Sequence, residues 1–308
     1  MTIAVLTPSY APDFDSFAFL HQSVVEYADV DVVHYVVVPD EDLPLFATLR
    51  SKRMVLIGYK ELLPASFVST VWFAHAVARI PRAPRGARFI AVNLRRPWPP
   101  LRGWLLQQIV KLSMAMRIEC YTLLGIDSDV QLIQPIAESM FASKDAVRFY
   151  RKPEGISADM VRHVRWHDNA RRLLSVDTDV SPPYNDPIGS LVSWDPRIVQ
   201  QCTRLLADVS SRPWETAVSR EWEFSEYVLY GEFLAEFGSA EQLSFVADRT
   251  LCHSHWAPQP LDLAGARRFI ETLNARDVAI HIQSNSHTPP EIMEYIRSAI
   301  PRNGGVSI

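Results

Sequence analysis

The sequence predicts an α/β fold: a mostly parallel central sheet flanked by helices, with a more helical α+β second half. Three observations carry that prediction. β-branched runs alternate with helical stretches through the opening of the chain, the apolar run "CYTLLGI" is long enough for a strand buried on both faces, and no flexible Gly/Ser linker divides the 308 residues.

Each element has its own warrant. "TIAVLT" (2–7), "DVVHYVVV" (31–38) and "RMVLIG" (53–58) read as strands, separated by an amphipathic stretch at 14–28 and a short helix near 41–50. A helix is expected over roughly 102–118, where Leu105, Ile109, Leu112 and Met116 recur at the spacing of one buried stripe. Strand 120–126 follows. Beyond residue 150 the pattern gives a polar helix at 157–174, a loop "DTDVSPPYNDP", a strand-like "IGSLVSW", helices near 196–209 and 222–237, and the alternating strand "VAIHIQS".

Composition narrows the function. With 48% hydrophobic and 21% charged residues the chain can bury a sizeable core. A net charge of −4 supplies no global field for nucleic acid. Arginines do accumulate between Arg79 and Arg102 with no acidic residue among them. That segment is either a solvated loop or a local surface for phosphate-bearing partners, including peripheral contact with an anionic membrane. Cys120, Cys202 and Cys252 are widely separated and odd in number, as expected for reduced thiols and a cytoplasmic protein. No apolar run approaches the ~20 residues that cross a bilayer. Walker-type loops, G-x-G-x-x-G, G-x-S-x-G and H-E-x-x-H are all absent from the sequence.

The chemistry concentrates in "LLGIDSDVQL", where Asp127 and Asp129 follow the apolar strand. In open α/β sheets ligands bind outside the carboxyl ends of the strands, so this pair faces a crevice. If the extended conformation persists, both carboxylates project to one side and can reach one Mg²⁺ or Mn²⁺; the alternative is a turn or capping pair.

An apolar strand, D-x-D and then "VQLIQPI" resembles the metal and nucleotide-sugar site of GT-A fold glycosyltransferases. Together with "LTPSYAPDF", "VVVPDEDLPLF", "LLQQIVKL", "DPIGSLVSWDP", "EWEFSEYVLYGEF" and "HIQSNS", it is similar to a bacterial family of uncharacterised glycosyltransferase-like proteins over nearly the whole chain. The resemblance implies one GT-A-like domain spanning 1–308, with a nucleotide-sugar and metal half (1–135) and an acceptor half (136–308). It implies that Thr7, Ser9 and Tyr10 contact base and ribose, that Asp127 touches ribose or metal, and that Asp129 binds the metal. Lys111 would approach the donor phosphates; its other reading is a solvated helix face opposite the apolar stripe. A late histidine would complete the metal site, His281 in preference to His253 or His255.

The 222–237 stretch raises a second question, because its apolar residues spread all round the helix while Glu223, Glu226 and Tyr230 fall on one side. Buried carboxylates are costly unless paired or used. Glu226 is the expected general base, with Glu223 its partner or substitute; the alternative has Glu221 and Glu223 at the helix N-terminus behind Ser219 and Glu226 paired with an arginine. Asp186, Trp194 and Asp195 form the expected acceptor side, Trp194 by stacking on a sugar ring or else as core. The expected activity is therefore metal-dependent transfer of a hexosyl-type sugar from a nucleoside diphosphate donor to a small-molecule, lipid-linked or glycan acceptor. A nucleotide-sugar-binding scaffold and a sugar-phosphate nucleotidyltransferase are the alternatives, the latter disfavoured by the lack of glycine in "LTPSYAPDF".

Overall fold

The computed structural model describes residues 2–70, 89–177 and 179–300, so the Arg79–Arg88 part of the arginine-rich segment lies outside the described residues. In chain order the strands are β1 (Ile3–Pro8), β2 (Val33–Val38), β3 (Met54–Gly58), β4 (Phe67–Ser69), β5 (Phe89–Asn93), β6 (Arg96–Arg102), β7 (Thr122–Ile126) and β8 (Val130–Leu132). The second half adds β9 (Phe149–Tyr150), β10 (Lys152–Ile156), β11 (Tyr184–Asp186), β12 (Leu191–Trp194), β13 (Val246–Ala247), β14 (Cys252–His255) and β15 (Ala279–Ile282).

The central sheet runs β12-β7-β1-β2-β3, parallel except for β12, which pairs antiparallel with β7. Successive residues point to opposite faces. Ala4 and Leu6 of β1 join one apolar cluster with Leu105, Ile109 and Leu112 of the Gly103–Ala115 helix; Val5 joins a second cluster with Phe17, Leu20 and Val24 of the Phe14–Tyr27 helix. Helices therefore cover both faces. All five residues of β7 are buried, which is why its sequence is apolar without alternation. The α/β fold class and mostly parallel sheet expected from the sequence are those of the structure.

Three boundaries differ, each for a local reason. The helix expected from 222 begins at Glu226, because Ser225 is extended and its Oγ accepts the Val228 N–H at 3.4 Å, which leaves Trp222 and Glu223 outside. The helix expected from 157 begins at Val161, since 152–156 is drawn into the β10–β11 pair. "IGSLVSW" shortens to the four residues that pair with β7.

Elsewhere β5 and β6, from the described end of the arginine-rich segment, form an antiparallel sheet with β4. β8 pairs antiparallel with β15, itself parallel to β14, so residues near 130 and 280 share one small sheet. The Leu263–Glu271 and Pro290–Ala299 helices close a third cluster over it through Phe269, Ile280, Ile282 and Ile296. No helix among the described residues is long and apolar enough to cross a membrane.

Candidate functional site

The strand order reverses at β1, which has β2 on one side and β7 on the other. Loops leaving two strands on opposite sides of such a reversal splay apart and leave a crevice at the carboxyl ends. Here those loops carry Ser9 to Asp13 and Asp127 to Asp129. Ser128 Oγ ties them by donating to Asp13 Oδ2 at 3.2 Å. Burial raises the Asp13 carboxyl, and the neighbouring charges of Asp129 and Asp127 push it the same way against the Ser128 hydrogen bond.

On the β1 side, Thr7 is fully buried and its Oγ1 lies 2.9 Å from His34 Nε2, an interior contact. Ser9 is also buried, and its Oγ has no hydrogen-bond partner among the described residues. Tyr10 is 42% exposed at the rim.

Lys111 is neither solvated nor free. Its Nζ lies 3.0 Å from Glu226 Oε1 and 3.3 Å from Asp127 Oδ1, and it donates to the Tyr227 hydroxyl at 3.1 Å. Burial works to discharge this ammonium, but Asp127, Glu226 and Tyr227 outweigh it and hold its pKa well above the ordinary value. Gln108 Oε1, one turn earlier on the same helix, accepts the Glu226 N–H at 2.9 Å. Glu226 is thus a buried carboxylate in an ion pair, with lysine in the place expected of an arginine.

Asp129 faces the other way. Its Oδ1 is 3.4 Å from His281 Nε2, and its Oδ2 accepts the Ser284 N–H at 2.9 Å. Burial disfavours the charge, yet the His281 hydrogen bond and charge and the Ser284 amide hold the carboxylate below its usual range. The β8–β15 pairing makes this contact, because it sets Val130 opposite His281. His281 Nδ1 is buried and unpartnered among the described residues. Trp256, half-exposed at the end of β14, packs its ring 4.4 Å from that of His281.

The two D-x-D carboxylates therefore diverge, Asp127 toward Lys111 and Asp129 toward His281. Among the described residues no three His, Cys, Asp or Glu side chains are grouped to hold a metal, so Asp127, Asp129 and His281 are not gathered around one point. A carboxylate oxygen and an imidazole nitrogen 3.4 Å apart do fit two adjacent ligands of one octahedral cation, whose ~2.1 Å bonds at right angles put ligands about 3 Å apart. His255 and His253 are engaged elsewhere: His255 Nε2 meets the Gln259 carbonyl at 2.9 Å, and His253 Nε2 meets Thr272 Oγ1 at 3.3 Å.

Other expected residues are not brought to this centre. Glu223 Oε2 accepts from Arg162 Nε at 2.8 Å and from Trp166 Nε1 at 3.2 Å, partners unrelated to those of Glu226. Trp194 is a correction to the stacking expectation: it is only 2% exposed and packed against Tyr230 and Tyr227, with no face left for a sugar, because β12 is buried throughout. Asp186 accepts the Ile188 N–H at 3.0 Å, and burial raises its carboxyl. Sequence reasoning missed Asp13, Gln108 and Tyr227, while Ser284 lies in the polar "QSNS" run that follows His281; of the three only Asp13, in the first βα loop, carried a signal that strand position could have raised.

Two clefts open in the protein, the first at Asp129. One of about 680 Å³ is lined by Asp129, Ser284, Ser286, Thr288 and Arg297; a more apolar one of about 880 Å³ follows the ends of β2 and β3 and includes Glu41, Tyr59, Phe67 and Leu106.

The model of a family described as "Family of unknown function (DUF6492)" matches residues 2–301. No curated protein matches the sequence. Among solved structures, an active-site mutant of LgtC is similar at 10% identity and TM-score 0.45 over 98% of both chains. The bifunctional glycosyltransferase WbbM gives 12% identity and TM-score 0.47 over 96% of this chain and 51% of its own. Mouse xyloside xylosyltransferase 1 gives 12% and 0.47 over 94% and 100%.

Proposed function

The chain belongs to this family of unknown function, and from the geometry of its site we propose that it is a GT-A-like, metal-dependent glycosyltransferase, moving a sugar from a nucleoside diphosphate donor to an acceptor hydroxyl. The observation that carries the reading is the meeting of Asp129 and His281, 152 positions apart in sequence, at the carboxyl end of β7 beside a buried Lys111, Asp127 and Glu226 cluster. A switch-point crevice that holds both an acidic–imidazole pair and a buried cation suits a diphosphate and its counter-ion better than it suits an uncharged ligand.

Asp129 and His281 would hold Mn²⁺ or Mg²⁺, which supplies charge neutralisation of the departing diphosphate. The Ser284 amide fixes the Asp129 carboxylate in place, so binding spends little on ordering it. Tyr10, exposed just past the end of β1, lines the approach for base and ribose; Ser9 and Thr7 are buried behind it, Thr7 against His34. Lys111 draws Asp127 and Glu226 to one point, where Asp127 meets the donor and Glu226 accepts the proton of the incoming hydroxyl. Asp186 lies toward the acceptor half. Glu223 and Trp194 are left out of this assignment, since Arg162 and the tyrosines already hold them.

A thermal-shift panel tests the reading. Uridine or guanosine diphosphate should raise the melting temperature only with Mn²⁺ present, by the few kcal/mol that ligand at about 100 times Kd supplies, and Asp129→Ala should abolish the rise. An unchanged shift in Asp129→Ala, or none with any nucleotide, refutes it.

A further inference from the structure

Where the helix Gly103–Ala115 begins, the structure has a second concave feature. A helix leading into a parallel strand runs antiparallel to it, so this N-terminus lies at the same rim as the carboxyl ends of β1 and β7. A cleft of about 350 Å³ opens there, lined by Pro99, Arg102, Trp104, Arg162, Glu221 and Trp222 among others. Trp104 and Lys111 are seven residues apart on one helix, a rise of about 10 Å along its axis.

Its composition is unlike that of a packing defect. Trp222 of its lining is 44% exposed, and Trp98, which flanks the cleft and is 68% exposed, meets the Trp222 ring edge to face at 6.2 Å. Fixed, solvent-facing indoles offer flat apolar surface with little conformational freedom to lose on binding. Charge in and around the cleft is unbalanced. Glu223 is taken by Arg162 at 2.8 Å and Glu221 by Arg172 at 2.6 Å. Arg102 has no carboxylate partner among the described residues, and its guanidinium is held 4.9 Å over the Trp222 ring. Stacking of that kind leaves the planar edge donors free to take a carboxylate or phosphate in two-point fashion.

We propose that this cleft is a saccharide subsite for an anionic sugar, whose apolar ring face rests on Trp98 and Trp222 while its acid group pairs with Arg102. Given the glycosyltransferase reading, on which only this clause rests, the bound saccharide is the acceptor, reaching from the aromatic cleft to the Lys111, Asp127 and Glu226 cluster. The role expected of Trp194 then passes to indoles that do face solvent. Apolar ring faces and a single spare guanidinium in a concave seat favour one sugar unit over a lipid surface, which would call for a convex patch and several free cations.

The test uses the whole protein and two tetrasaccharides in titration calorimetry: an oligogalacturonate as the anionic probe and maltotetraose as the neutral one. The oligogalacturonate should bind, and maltotetraose should bind at least about tenfold more weakly, the size of a lost two-point charge contact. Trp222→Ala and, as a more exposed second site, Trp98→Ala should each weaken the oligogalacturonate about tenfold, and Arg102→Gln should bring it down to the neutral level. All three variants should keep the wild-type melting temperature and its response to nucleoside diphosphate with Mn²⁺. No oligogalacturonate binding, binding that survives the three substitutions, or equal binding of the neutral probe overturns the proposal. So does capture by anionic phospholipid vesicles that Arg102→Gln releases while neither tetrasaccharide binds, which makes the face a membrane contact. If the oligogalacturonate behaves as expected while no nucleotide shifts the melting temperature, the subsite stands and the donor reading falls; the reverse pattern removes the subsite alone.

Discussion

Lys111 shows how one side chain can organise a site. It is buried with two carboxylates within 3.3 Å, so its removal leaves Asp127 and Glu226 facing each other without a counter-ion. Lys111→Met should cost about 3–5 kcal/mol in urea denaturation, the usual penalty for breaking a buried pair by removing one partner. Glu226→Gln is nearly isosteric and should leave the fold in place while lowering donor turnover by roughly 10²–10⁴-fold, provided that Glu226 is the base. A second buried pair, His21 and His34, lies under β1, their Nδ1 atoms 3.0 Å apart with one proton between them. Burial lowers both rings; Arg53 adds to the effect on His21, and His21 and Arg53 add to it on His34. The folded state therefore refuses protons that the unfolded chain accepts near pH 6.5. Stability is fully present above pH 6.5 and should fall as pH drops below it, by about 1.4 kcal/mol per pH unit from His34 alone. Urea midpoints at pH 7.5 and 5.5 measure this, and a flat profile contradicts it. Of these residues the sequence singled out Lys111, Asp127 and Glu226, but not the contact of Lys111 with Glu226. They are 115 positions apart, and periodicity places Lys111 on a helix without saying what packs over it.

Among the elements, β7 was the most legible, because a strand buried on both faces has no polar residues to break its apolar run. Leu124→Ala in that strand should cost about 2–5 kcal/mol, since its close-packed neighbours in the cluster with Val5, Phe17 and Leu20 relax only partly into the space. The helix Glu226–Phe237 was legible as buried but not in its start. Three carboxylates precede or open it, at Glu221, Glu223 and Glu226, and acidic residues suit any first turn equally well. Ser225 decides the matter by capping, and Ser225→Ala should lower stability by about 1 kcal/mol and loosen the turn that presents Glu226, visible as faster amide exchange at Val228. Of the small sheets β4-β5-β6 and β14-β15-β8 the sequence showed β15, as the alternating "VAIHIQS", but not the pairings, because distant partners complete the hydrogen bonds of these short strands.

For the molecule as a whole, the two halves named from the sequence are laced together. β12 from the second half pairs with β7, and β15 pairs with β8. Neither half can leave without exposing strand edges, so calorimetry should show one cooperative transition, and residues 1–135 expressed alone should lack a melting transition. Two separable transitions contradict this.

What the sequence by itself determined is local. Alternating β-branched and amphipathic segments dictate an α/β sheet, an all-apolar β7 dictates its central place, and D-x-D just beyond it dictates acids at a strand's carboxyl end. Tertiary structure alone decided what those acids meet. Asp127 turns to Lys111 and Asp129 to His281 because a helix packs on one flank and β15 on the other, and such neighbours are chosen by the burial of whole faces, which no short window of residues encodes.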